Sequence, residues 1–101
     1  MPDPTDGDIA VTRHDGPQAG EYRATVAGSE AIGRLTYRRR GAVLSADHTL
    51  VPPEIGGRGV AARLVEALVA DARAAGERID PRCSYVAAAF RRHGDWADVR
   101  A

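Results

Sequence analysis

Residues 50–75 read LVPPEIGGRGVAARLVEALVADARAA, and the chain changes its period inside this stretch. From Val60 to Ala75 apolar residues fall at Ala61, Leu64, Val65, Leu68 and Ala72, with Arg63, Glu66, Ala70 and Arg73 opposite. Spacing of three and four residues predicts a helix with one apolar stripe. Gly76 is suited to the left-handed residue that closes such a helix, and Arg73 and Glu77 stand four apart near its end. Upstream, Pro52-Pro53 must end whatever strand precedes them, because neither can donate to a ladder.

Working outward, the preceding residues alternate rather than recur at helical spacing. Ile9–His14 is short and β-branched. Glu21–Ala27 puts Tyr22, Ala24 and Val26 on one face, and Gly28-Ser29 turns into Ala31–Arg38. Arg38–Gly41 is expected to be a solvated turn. Ala42–Val51 alternates again, with Leu44, Ala46, His48 and Leu50 on one face and Asp47 on the other. Four strands with short links predict an antiparallel meander. After the helix, Arg78–Asp80 is long enough for a fifth strand, and Ser84–His93, closed by Gly94, reads as a second helix. Trp96 is expected to pin the C-terminal segment to the body. The fold class is therefore α+β, with a mixed sheet in the order β-β-β-β-α-β-α and a parallel crossover between strands four and five.

The chain has 101 residues, short enough for one core; residues 9–101 read as one domain behind a tail at 1–8 containing two prolines and three aspartates. Fourteen basic residues, all arginine, balance fourteen acidic ones, so whole-molecule attraction to nucleic acid has no support. One cysteine excludes an internal disulfide, and one cysteine with three histidines argues against a structural zinc cluster; no metal site is expected. No apolar run is long enough for a membrane span, and the acidic beginning is unlike a signal peptide, which predicts a soluble cytoplasmic protein.

The chemical signal lies in Glu54-Ile55-Gly56-Gly57-Arg58-Gly59-Val60-Ala61-Ala62. Glycines allow close backbone approach, and a helix start presents unpaired N–H groups and the positive end of its dipole. Together they suit a phosphate or pyrophosphate; the alternative is a flexible link. A Walker loop is excluded, since the chain has no lysine. Gly57 to Ala62 also fits a dinucleotide fingerprint with Asp80 near the acidic position. Too little chain follows, however, for the repeated βαβ units of that fold.

From Asp47 to His93 the chain resembles the small YjdJ-type branch of the GNAT N-acetyltransferase superfamily, in the motifs His-Thr-x-Val-Pro-Pro-Glu, Gly-x-Gly-x-Ala and Pro-x-Cys followed by an aromatic. The superfamily loop, Arg/Gln-x-x-Gly-x-Gly/Ala, places its last two positions on Gly59 and Ala61; its leading Arg/Gln falls on Gly56, a departure that Arg58 partly offsets in charge. The resemblance implies a compact fold of that type, with acetyl-CoA as cofactor and an unidentified amine as acceptor. The main chain at Leu50 and Val51 would meet the pantetheine arm, and Ile55 with residues 56–62 would enclose the pyrophosphate. The thioester would sit between strands four and five, near Cys83. A CoA-binding module without catalysis is the alternative, and a nucleotide-binding fragment a third.

Three residues stand out as catalytic candidates. Cys83 precedes the second helix beside Arg82, a setting that favours a depressed thiol pKa and either acetyl acceptance or a place beside the thioester; the alternative is a packed apolar cysteine. His48 reads as base or orienting group, or as a hydrogen-bonded core residue. Glu54 reads as base, or as a helix cap. Alternation puts Asp47 opposite His48, which argues against a direct pair. Tyr85 and Phe90 are candidates to flank the cofactor arm, and Arg91-Arg92-His93 to meet a terminal phosphate. The oligomeric state is open.

Overall fold

A computed structural model describes residues 8–101; of the expected N-terminal tail only Asp8 falls within it, the rest lying outside the described residues. Five strands, β1 (Ile9–His14), β2 (Ala19–Val26), β3 (Ile32–Arg40), β4 (Val43–Leu50) and β5 (Arg78–Pro81), form one sheet in the order β1-β2-β3-β4-β5. The first four pair antiparallel and β5 runs parallel to β4. Helix α1 (Val60–Ala75) makes the crossover, and α2 (Ser84–Arg92) follows β5. This is the α+β order expected, with α1 at the bounds its stripe set. Gly76 closes α1 at φ 69°, its N–H reaching back to Ala72 and Arg73.

Both helices cover one face of the sheet. Tyr22, Ala24, Leu35, Tyr37, Leu44 and Ala46 point inward from the strands and share one buried cluster with Leu64, Leu68, Val86 and Phe90. Gly33 lies on this face, where a Cβ would stand 2.9 Å from Val60 Cγ1; its missing side chain sets how closely the start of α1 approaches the sheet. Trp96 is buried, edge-on to Phe90 with ring centroids 5.4 Å apart and stacked on His93 at 4.0 Å. The end of the chain lies along the free edge of β5, where the Ala101 N–H donates to the Ile79 carbonyl at 2.8 Å.

The arginine run is not a turn. Arg38–Arg40 belong to β3, and the reversal falls on Gly41-Ala42. Arg39 is held inward by ion pairs to Glu77 at the end of α1 and to Asp15. Glu77 is thereby taken by Arg39, while Arg73, four residues before it, pairs with Asp98 at 2.8 Å. Beside this contact Arg13 lies against both tyrosine rings, 5.4 Å from each centroid, and donates to Tyr37 Oη at 3.1 Å and Asp71 Oδ2 at 3.3 Å. The Tyr22 hydroxyl donates to the same Asp71 oxygen at 2.6 Å. Burial, and then that bond, hold the Tyr22 phenol far above its ordinary pKa, so it remains a donor.

One irregularity decides which side chains of β4 face where. Tyr37 pairs with Ala46 but Thr36 pairs with His48, leaving Asp47 as an extra residue in β4. Such a bulge shifts the alternation by one residue. Beyond it His48 shares the outer face with Thr36, and Leu50 shares it with Arg34, while Thr49 turns inward opposite Leu35. His48 is exposed and Leu50 is 64% exposed. The expected grouping of His48 and Leu50 with Leu44 and Ala46 is thus overturned, and so is the expectation that Asp47 and His48 lie on opposite faces: both line one cavity on the outer side of the sheet.

Candidate functional site

Pairing between β4 and β5 stops at Ala46 and Pro81. The Cys83 N–H still donates to the Ala46 carbonyl at 2.8 Å, and the chain then enters α2, with Cys83 as its N-cap residue. From Asp47 to Leu50, β4 therefore has an edge without a strand beside it. The glycine loop returns next to this opening.

Pro53–Ile55 form one turn of 3-10 helix, with Ile55 fully buried as the anchor of the loop. The Gly56 N–H donates to the Pro53 carbonyl at 3.1 Å and is consumed there. Gly57 and Gly59 have φ of 74° and 78°, and among the described residues no side chain caps the start of α1 at Gly59. The first helical N–H to reach a carbonyl is that of Arg63, on Gly59 at 3.1 Å. The amides of Val60, Ala61 and Ala62 are thus the uncapped donors of a four-turn helix. A cavity of about 290 Å³ opens over them, lined by Val51, Gly56, Gly57, Gly59, Val60, Ala61, Ala62 and Tyr85.

Eight of the residues singled out in the sequence thus share one cavity, whereas Ile55, Arg58, Leu50, Glu54, His48 and Cys83 do not line it. Ile55 contributes only through the core. Arg58 lines a separate space of about 360 Å³ with Asp8, Ile9 and Val26, joined to the first through Gly57. Leu50 offers its backbone at the open edge while its side chain faces away. Glu54 is exposed on the 3-10 turn; it caps no α-helix, since the N-cap residue of α1 is Gly59. Of the two aromatics on α2, Tyr85 lines the cavity and Phe90 is buried against Trp96. Arg91, Arg92 and His93 are exposed.

Residues 21–99 match the protein-family model described as GCN5-related N-acetyl-transferase. The chain belongs to that family. No curated protein matches it. The GCN5-related acetyltransferase fold is the compact version expected, with a five-stranded mixed sheet and the helices α1 and α2 among the described residues, and the family places the chain among the acyltransferases, which generally use acetyl-CoA. The uncapped start of α1 fits such a ligand, since its amides lack acceptors that a diphosphate would supply. Among the described residues no helix is long and apolar enough to cross a membrane.

Cys83 sits at the far end of the opening, half-buried, its Sγ 3.4 Å from Thr49 Oγ1. Burial acts to raise the thiol pKa, but hydrogen bonds from the Thr49 hydroxyl and from the Val86 and Tyr85 amides outweigh it, and the net shift is downward. The expected direction therefore holds, but the neighbouring arginine is not its cause: Arg82 pairs with Asp80 at 3.4 Å. Thr49 was not among the sequence candidates. The signal for it was the run Asp47-His48-Thr49, three polar residues where strict alternation calls for an apolar one. Thr49→Val keeps the shape and removes the hydroxyl. Because the thiolate is the reactive form, the pH midpoint of iodoacetamide alkylation at Cys83 should move up and the rate at pH 7 should fall several-fold. An unchanged midpoint would show that Thr49 does not tune the sulfur.

Proposed function

We propose that this protein binds acetyl-CoA in the loop cavity and transfers the acetyl group to an amine in the cytoplasm. The observation that carries this reading is the uncapped α1 start, with Gly57 and Gly59 in the left-handed region and the open edge of β4 alongside. Bound acetyl-CoA supplies an activated acyl carbon and a thiol leaving group. The amides of residues 57–62 hold the diphosphate, the free edge of β4 at Leu50 and Val51 meets the amide groups of the arm, and Tyr85 closes one wall. Arg58 stands in the adjoining space, where it adds positive charge.

Two of the candidate catalytic groups occupy opposite sides of β4. His48 is exposed on the outer face and is the group that removes the proton from an incoming ammonium. Cys83 lies on the inner side with Thr49 and serves the second route, in which its sulfur takes the acetyl group before the amine does. Glu54 is the alternative base. Intact mass after mixing with acetyl-CoA separates the routes: one added acetyl on the wild type, absent in Cys83→Ala, supports the covalent route. No adduct, together with an unimpaired Cys83→Ala enzyme, leaves direct attack.

Titration of the ¹⁵N-labelled protein with CoA tests the reading itself. The amide signals of residues 57–62 should shift and saturate, with Gly56 moving less because its N–H is already bonded. Signals that stay in place across the loop would refute it.

A further inference from the structure

The bulge at Asp47 turns a carboxylate and an imidazole onto the outer face of the sheet, which neither helix covers. There they join an open cavity of about 770 Å³, a size that suits a small ligand. His14, Glu21, Thr36 and His48 form one cross-strand row along its floor, each directly paired with the next. Glu21 Oε2 receives both Arg23 Nε at 2.8 Å and Arg34 Nη1 at 2.6 Å. Two guanidiniums therefore share one carboxylate, and these bonds hold the Glu21 carboxyl below its ordinary pKa, so it stays charged. Arg38 faces Asp47 only at 3.6 Å, beyond hydrogen-bond reach, and is 76% exposed. Arg34 reaches Glu21 from outside the lining, so Arg23 shares its carboxylate with a second guanidinium and its charge is only partly matched. Among the described residues no aliphatic side chain larger than alanine lines the cavity.

We propose that this cavity is the acceptor site, and that the acceptor is a small amine carrying its own anionic group, carboxylate or phosphate. The proposal rests on the acetyltransferase reading above. Arg38, with the guanidinium nitrogens of Arg23 that Glu21 leaves free, takes the anion. Asp47 receives the ammonium, beside His48, whose side chain makes no hydrogen bond or ion pair among the described residues. These two residues begin the stretch of β4 that β5 leaves open. An amine held on the outer face thus reaches an acyl carbon on the inner side around the free edge, without displacing any element.

The test is a ¹⁵N titration of the whole protein, free and saturated with CoA, using β-alanine, O-phosphoethanolamine and ethylamine as probes. Both anionic amines, or one of them, should shift the signals of Thr36, Arg38 and His48 in at least one of the two forms; which one does so identifies the anion. Ethylamine should bind at least tenfold more weakly. Arg38→Ala should weaken the anionic probe about tenfold, the scale of one charge-assisted hydrogen bond, and Arg38→Lys should recover part of the loss. Anionic amines that leave the outer face unmoved in both forms, or ethylamine that binds equally well, would overturn the proposal. Because the CoA response is read at residues 57–62, a silent outer face with a responding loop refutes only this inference, whereas a silent loop refutes the acetyltransferase reading.

Discussion

Gly20→Ala is expected to lower the melting temperature by roughly 15 °C, a large effect for one methyl group. Gly20 in β2 pairs with Tyr37 in β3 on the inner face, and the phenol ring lies over its α-carbon. A Cβ there would stand 2.6 Å from Tyr37 Cζ and 2.8 Å from the His14 carbonyl oxygen. The carbonyl belongs to β1 and cannot give way without disturbing the edge strand, so the ring must move. Tyr37 then leaves its bonds to Asp15 and to Arg13 Nε. Overpacking of this kind costs about 1–3 kcal/mol, and an orphaned polar contact adds about 1 more. A total near 3 kcal/mol corresponds to roughly 15 °C in a domain of this size. Thermal unfolding followed by circular dichroism reads the change. Gly94→Ala is the control, since a Cβ at Gly94 meets nothing within 4 Å. Tyr37→Leu is destabilising alone but should absorb part of the Gly20→Ala penalty, so the two costs add to less than their sum. A shift below about 3 °C for Gly20→Ala would mean that the ring and strand relax freely.

Whatever the chain decides locally could be read from its residues. Helix α1 is an apolar stripe with a glycine stop, and both signals lie within the element, so its bounds emerged at 60 and 75. The parallel crossover followed from its position between two strand patterns. What failed depended on partners far along the chain. Arg38-Arg39-Arg40 resembles a solvated turn because three like charges rarely sit in a strand. Only Glu77 and Asp15, distant in sequence, explain why Arg39 turns inward. The face of His48 was misread for a similar reason, since alternation fixes faces only while pairing stays in register. The extra residue at Asp47 is a property of the β3–β4 ladder and not of β4 alone.

The same division holds for the site. Gly57, Gly59, Val60, Ala61 and Ala62 were legible because a glycine-rich link into a helix is a contiguous string with a contiguous consequence. The Thr49–Cys83 contact joins residues thirty-four apart. It exists because the bulge turns Thr49 inward just where β5 has ended. Neither condition can be read at either residue.

The second large effect separates a glycine needed for its backbone from one that also leaves room for a ligand. Gly59 and Gly76 flank α1 at φ 78° and 69°, and a Cβ at either meets nothing within 4 Å. Valine at these angles is strained to a similar degree, by about 2 kcal/mol, so Gly59→Val and Gly76→Val should lose similar amounts of stability, roughly 10 °C each. They should part company on CoA. Gly59 lines the cavity over the uncapped amides, whereas Gly76 is at the opposite end of the helix. A branched side chain at Gly59 stands where the diphosphate would lie and tilts the amides that follow. Loss of two charge-assisted hydrogen bonds, about 2.7 kcal/mol, corresponds to roughly hundredfold weaker binding. Calorimetric titration with CoA should therefore show that loss in Gly59→Val and almost none in Gly76→Val. If either valine variant fails to fold, the alanine pair carries the same comparison with smaller changes. Equal loss in both would attribute the effect to α1 stability alone. Equal retention would mean that the cradle at the start of α1 is not where the cofactor is held.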